Sequence, residues 1–369
     1  MLKATETVLE INLTPLGNNY RYLKSKLQHN IKFLAVVKAY AYGSDSVEIA
    51  KELVKLGADY LAVAYVKEGV TLRDAGIKAP IIVLHPQSVN FKTLIDRCLE
   101  PSLYSPKIFK EFIEIAKENK QSKYPVHLKF NTGLNRLGFL EKDVDFISYK
   151  LKETTSIVVK SIFSHLVASE DEFEKDFSNS QIKAFKNISK KLFKTLDYQP
   201  ILHMCNTSGI LNFPEAHFDM VRSGIGLYGF SNIQKEQKHF TPIAILKSVI
   251  SQIHTIEKGE TVGYNRAFKS DGCLKSATIP IGHADGISRA YGNGKGWVTI
   301  NGEKTPIIGN VCMDMIMVNI TNIDCQEGDE VIIFGEVENA EKHAEKINSI
   351  SYELITAISQ RVKRVVYRK

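Results

Sequence analysis

Lys38 stands directly after the apolar run Phe33–Val37 and before Ala39-Tyr40-Ala41-Tyr42-Gly43. A lysine at the end of a buried strand is partly desolvated, which lowers its pKa and frees an amine lone pair for nucleophilic attack. Taken alone, Lys38 is explained better as a lysine snorkelling from a strand end. Lys129 and Arg136 flank Asn131-Thr132-Gly133. Two cations this close can hold an anion, and the planar fork of arginine grips a carboxylate with two bonds. A solvated basic loop explains that pair equally well. His165 follows the run Val158–Phe163, where a lone histidine is more often structural than catalytic. Asn206-Thr207-Ser208-Gly209 and Arg222-Ser223-Gly224-Ile225-Gly226 offer hydroxyls, small residues and backbone N–H groups, the chemistry a phosphate needs. Read locally, they are turns rich in glycine.

Two nucleotide signatures fail on inspection. Gly224–Gly229 has the spacing GxGxxG, but it closes an α/β alternation instead of opening a βαβ unit. Gly294-Lys295 suggests a phosphate-binding loop, yet Arg289 stands where the first glycine is required and Gly296 where a serine or threonine is required. Gly263-Tyr264, Cys312-Met313-Asp314 and Tyr352 are ordinary residues on local chemistry alone. The ten histidines show no HxH or HExxH spacing, so no metal site is expected. The five cysteines (Cys98, Cys205, Cys273, Cys312 and Cys325) are odd in number, widely spaced and without a CxxC, which argues against a disulfide framework or zinc.

These groups need a scaffold. Eight short runs rich in β-branched residues alternate with Lys/Glu-rich amphipathic stretches over the first 230 residues. The runs are Phe33–Val37, Tyr60–Ala64, Ile81–Leu84, Cys98–Leu103, Val126–Phe130, Val158–Phe163, Ile201–Met204 and Phe218–Val221. Ser46–Leu56, Ser105–Asn119 and Asn179–Leu196 are the clearest helices. The pattern is α/β and predicts an N-terminal (β/α)8 TIM-type barrel, with a doubly wound open sheet as the alternative. Lys38, Lys129, His165, Asn206 and Arg222 would then all stand at the C-terminal mouth, where barrel enzymes place their chemistry.

The texture changes near Ser231–Thr241. Beyond it, Ala244–Ile253, Ala277–Ile281, Gly296–Ile300, Val311–Ile320 and Glu330–Phe334 read as strands, followed by a short helix Tyr352–Ser359 and a basic strand-like tail. The expected division is a barrel domain over 1–235 and a smaller, mostly β domain over 241–369. Thr7–Leu13 alternates like a strand that could join either. With 48 basic and 41 acidic residues the net charge is +7, mild and interspersed, so nucleic acid is not an expected partner. There is no apolar signal core and no apolar run approaching a membrane span, so a cytoplasmic protein is expected.

Taken together, the residues resemble the bacterial alanine racemases, pyridoxal 5'-phosphate enzymes with a (β/α)8 barrel and a C-terminal β domain. The matching motifs are AVVKAYAYG at 35–43, HLKFNTGLNRLGF at 127–139, FSHLVASE at 163–170, NTSG at 206–209 and MVRSGIGLYG at 220–229. They continue with VGYNRAF at 262–268, IGHADGISR at 281–289, VCMDM at 311–315 and YELITAISQRV at 352–362. Nine motifs in order across both domains outweigh the bland local readings.

The resemblance implies that Lys38 carries the cofactor covalently and acts as base on one face of the substrate α-carbon. Tyr264 from the other subunit of a homodimer would be the base on the opposite face. It further implies that Arg222 bonds the pyridine nitrogen and that Tyr42, Asn206, Thr207, Gly224, Ile225 and Tyr352 hold the cofactor, chiefly its phosphate. Arg136 and the Met313 backbone would take the substrate carboxylate. His165 would link Arg222 to Tyr264. Lys129 would carry a carbamate that orients Arg136, and His283 and Asp314 would lie at the substrate entry. The implied activity is interconversion of L- and D-alanine, supplying D-alanine for peptidoglycan. The alternatives are a serine/alanine racemase of broader range and a non-catalytic pyridoxal-phosphate protein, which would resemble the first domain only. Two positions depart from the family pattern: His283 replaces the usual tyrosine, and Asn131 the usual aspartate.

Overall fold

The computed structural model describes residues 3–369. Eight parallel strands close into a barrel: Lys32–Val36, Tyr60–Val63, Ile81–Val83, Glu100–Leu103, Tyr124–Lys129, Ile157–Phe163, Ile201–His203 and Met220–Ser223, numbered one to eight below. Closure comes from Lys32 to Ala35 of strand one pairing in register with Met220 to Ser223 of strand eight. The first three strands are almost wholly apolar on both faces, as a sheet covered by helices requires. The helix Pro106–Glu118 shows how sequence dictates that cover. Ser105 caps it by accepting from the Ile108 N–H at 3.3 Å, Pro106 occupies the first turn, and Ile108, Phe109, Phe112 and Ala116 form one buried stripe.

The second module is a nine-stranded sheet. Val8–Asn12 belongs to it, pairing antiparallel with Ala244–Val249 and parallel with the C-terminal strand Lys363–Tyr367. The two ends of the chain therefore meet in one sheet, and the barrel is strung between its edges of sequence. Among the described residues no helix is long and apolar enough to cross a membrane.

Several expected elements are corrected. Ala244–Ile253 is two strands, Ala244–Val249 and Gln252–Ile256, because the chain turns at Ile250-Ser251 and the second strand pairs with Leu274–Ile279 instead. Val311–Ile320 is a strand only over Ile316–Asn319. Its first half is a loop in which the Cys312 N–H bonds the Met315 carbonyl. Glu303–Ile308 is a strand whose charged start, Glu303-Lys304, and Pro306 hid it. Leu13–Ser25 is a helix despite Pro15 and Gly17. Pro15 sits in the first turn where a missing N–H costs little, and the Asn19 side chain donates to the carbonyls of Leu227 and Thr241.

Candidate active site at the barrel mouth

The chain leaves barrel strand one through a run of backbone that side chains rarely adopt. Ala39, Tyr40, Ala41 and Tyr42 all have φ between 53° and 55°, followed by Gly43 at 81°. Left-handed non-glycine residues cost roughly 1–2 kcal/mol each, so four in a row persist only where the surroundings fix them. Glu68 supplies one clamp. One carboxylate oxygen accepts from the Ala39 N–H at 2.6 Å, and the other accepts from the N–H groups of Ala64 at 2.7 Å and Tyr65 at 3.1 Å. Tyr42 supplies a second, stacked on Tyr228 with ring centroids 4.4 Å apart. The turn projects Lys38 into a cavity of about 710 Å³.

That cavity gathers the predicted barrel residues. Lys38, Lys129, Arg136, His165 and Arg222 line it, with Tyr42, Asn206, Thr207, Gly224 and Ile225 around one end. Tyr352 reaches the same cavity from the helix Ser351–Ala357 of the second module, its hydroxyl accepting from the Asn232 side chain at 3.4 Å. A Cβ on Gly224 would lie 2.0 Å from the Tyr42 hydroxyl, so only glycine lets that phenol close over the loop. Thr207 Oγ1 and Ser223 Oγ sit 3.0 Å apart beneath it. Burial raises the Tyr42 pKa and pushes Tyr352 up to about 12, so both phenols stay protonated and able to donate.

The charges are one-sided. Lys38 is lowered by burial and then by Arg136. Lys129 falls to about 8 through burial and then Arg136, Arg222 and Lys38. Arg222, fully enclosed, falls to about 10 by burial. Its guanidinium donates to His203 Nδ1 at 2.9 Å, to the carbonyls of Ser164 and Met204 at 2.7 and 3.1 Å, and to His165 Nδ1 at 3.1 Å. Burial and then Arg222 hold His165 well below the usual imidazole range, so it is neutral and accepts. Among the described residues no carboxylate forms an ion pair with Lys38, Lys129, Arg136 or Arg222. A cup with this much unpaired positive charge calls for an anionic occupant.

The other predicted residues are elsewhere. Tyr264 is 73% exposed and Met313 58% exposed on the second module, and neither lines the cavity of its own chain. They share that surface with His283 and Asp314. The His283 and Ala284 N–H groups donate to the carbonyls of Cys312 and Met313 at 2.9 and 3.0 Å, zipping the two loops together. Arg361 pins the pair, donating to Asp285 at 2.7 Å and Asp314 at 2.6 Å. Sequence reasoning missed Glu68, His203, Asn232 and Arg361. Only His203 carried a signal, since an imidazole within an apolar strand needs a buried partner.

The alanine racemase N-terminal domain model matches residues 11–232, and the C-terminal domain model matches 243–366. Alanine racemase 1 of Clostridium acetobutylicum is 36% identical over 366 residues, covering 96% of this chain and 94% of that one. Among solved structures, alanine racemase of Clostridium difficile superposes with a TM-score of 0.93 at 36% identity, covering 100% of this chain and 97% of the other. The enzyme of Bartonella henselae, solved with covalently bound pyridoxal phosphate, superposes at 0.89 with 29% identity, covering 99% and 100%. Matched over almost its whole length, with the cationic cup in place, this chain belongs to the alanine racemase family.

Proposed function

We propose that this protein interconverts L- and D-alanine with pyridoxal phosphate, as a cytoplasmic homodimer that supplies D-alanine for peptidoglycan. The observation that carries the reading is the cup itself: a desolvated Lys38 amine, a buried Arg222 and a hydroxyl-lined cradle around Gly224, open to one cavity. The residues fit the cofactor. Lys38 would tether its aldehyde carbon, Arg222 would face its ring nitrogen, and Tyr42, Asn206, Thr207, Gly224, Ile225 and Tyr352 would hold its phosphate. The structure of the Bacillus anthracis enzyme with bound L-Ala-P, at 28% identity and a TM-score of 0.93, supports alanine as the substrate class.

Bound there, pyridoxal phosphate would supply an electron sink for the electron pair left when the α-carbon loses its proton. The protein's own task is to move protons on two faces of that carbon. The Lys38 amine, whose proton affinity burial lowers, would serve one face. The phenol of Tyr264 from a second copy would serve the other, since it stands exposed and does not line the cavity of its own chain. Arg136 and the Met313 N–H of that second copy would fix the substrate carboxylate, with His283 and Asp314 at the entry. Lys129, lowered to about 8, has a neutral fraction able to add carbon dioxide and become a carbamate facing Arg136. His165 would pass the position of Arg222 on to Tyr264. Two modules, a barrel over 1–235 and a β module over 241–369 completed by the strand at 7–13, divide the work. The five unpaired cysteines suit a reducing cytoplasm.

Incubation with L-alanine in deuterated water tests the reading. D-alanine carrying deuterium at the α-carbon is expected, and D-alanine without it, or none, would overturn the reading. Repeating the assay with L-serine distinguishes an alanine enzyme from a serine/alanine racemase.

A further inference from the structure

Barrel interiors are usually filled by branched apolar side chains. Here five consecutive strands, four to eight, each place one polar side chain in a single connected line: Glu100, His127, Ser161, His203 and Arg222. Glu100 Oε2 lies 2.7 Å from His127 Nε2, and His127 Nδ1 lies 2.6 Å from Ser161 Oγ. Ser161 Oγ lies 2.9 Å from His203 Nε2, and His203 Nδ1 lies 2.9 Å from an Arg222 terminal nitrogen. His127, Ser161 and His203 are wholly buried. The line climbs from the start of strand four, at the closed end of the barrel, to the guanidinium facing the cavity.

With both imidazoles neutral and Glu100 ionised, one arrangement of protons satisfies every link. Guanidinium only donates, so His203 Nδ1 must accept, and its single proton sits on Nε2. That proton goes to Ser161 Oγ, and the hydroxyl proton of Ser161 goes to His127 Nδ1, the ring nitrogen left bare when neutral His127 donates to the Glu100 carboxylate. The assignments from Arg222 and from Glu100 meet at Ser161. Every bond dipole points the same way, and each link strengthens the acceptor before it. Burial, which holds His203 well below the usual imidazole range, favours the same neutral form.

We propose that Glu100, His127, Ser161 and His203 are positioning residues that fix the Arg222 guanidinium, protonated and in one orientation, at the cavity floor. A carboxylate touching Arg222 could do the same, but it would cancel the positive charge that an anionic occupant needs. Four intervening hydrogen bonds anchor the cation and leave the cup unpaired. The link to the cofactor ring rests on the racemase reading; the direction of the line does not.

Neutron diffraction from deuterium-exchanged crystals of the pyridoxal-phosphate-loaded protein reads the line directly. Deuterium is expected on Nε2 of both His127 and His203, and on neither Nδ1. Deuterium on either Nδ1 overturns the proposal. Glu100→Gln and Ser161→Ala then test the consequence. With 15N in the cofactor ring, both variants are expected to shift the ring-nitrogen resonance toward its protonated position. They should also lower kcat for alanine about tenfold, with KM little changed, the scale of one buried partner left unsatisfied. Parental resonance and kcat in both variants would overturn the proposal. If neither variant folds, the neutron map decides alone. A parent that shows the expected deuterons but never racemises alanine would refute the proposed activity and leave the line standing.

Discussion

The barrel mouth and the β module treat positive charge in opposite ways. In the β module, Lys247 is buried between Glu10 and Glu330, each carboxylate 3.2 Å from its ammonium, and Arg361 holds Asp285 and Asp314. At the barrel mouth Lys38, Lys129, Arg136 and Arg222 crowd one cavity, where burial and then the Arg136 charge lower the proton affinity of Lys38 and Lys129. A buried cation left unpaired costs stability unless something else compensates it. The paired cations are part of the scaffold's own balance. The unpaired ones leave a deficit that a bound phosphate and carboxylate would cancel. Exposure divides the same two regions. Lys129 and Arg222 are buried at the mouth, whereas Tyr264 and Met313 stand in solvent and do not line that cavity.

The largest expected effect tests whether those two halves belong to different copies. Lys38→Ala and Tyr264→Ala should each abolish racemisation. Co-refolded or co-expressed as mixed dimers, they should restore about a quarter of the parental activity. Half of randomly paired dimers are mixed, and one of the two sites in each mixed dimer then has both intact residues. Activity assays on the tagged, purified heterodimer provide the check. A dead heterodimer would mean that each site is built within one chain.

The paired region gives the next largest effect. Lys247→Met would strand Glu10 and Glu330 as uncompensated carboxylates within the sheet that joins both chain ends. A loss of about 3–5 kcal/mol in unfolding free energy is expected. Urea titration of the cofactor-free protein measures it. A loss well under 1 kcal/mol would show that the triad contributes nothing to the sheet.

Much of this division was legible in residues. The barrel strands announce themselves because a strand buried on both faces must be apolar throughout, as Phe33, Leu34 and Ala35 are. Lys38 and Arg222 were visible as cations placed just where such runs end, and Arg136 as a cation in the loop beyond one. Other features were not legible, for physical reasons. Glu68 lies in an unremarkable helical sequence, and its clamp on the Ala39 N–H exists only because Tyr65 and Ala64 are brought beside the strained turn. The line from Glu100 to Arg222 joins residues on five strands, and each looks like a satisfied core polar group by itself. The false strand at Val311–Met315 is apolar enough to pair, but its backbone is bonded to the His283 loop instead. Tyr264 has no local signature at all, because the surroundings proposed for it lie in another molecule.

The smallest effect has the most informative sign. Lys129 is nearly buried and titrates near 8 in the folded chain, against about 10.5 when unfolded, chiefly because burial opposes its charge. Between these values the unfolded chain binds more protons than the folded one, so the parent gains stability as pH rises from about 8 to about 10.5. Below that window the cost of the charge is fully present. Lys129→Met removes the group, so in cofactor-free protein kept free of carbon dioxide it should stabilise the fold by about 3 kcal/mol at pH 7. The gain should shrink to nearly nothing by about pH 10.5. Denaturant unfolding at the two pH values reads both numbers. A substitution that destabilises at pH 7, or whose effect ignores pH, would mean that Lys129 is already compensated and that the mouth is not the unpaired half of the comparison. The opposite signs expected for Lys129→Met and Lys247→Met separate a cation that awaits a ligand from one that holds a sheet together.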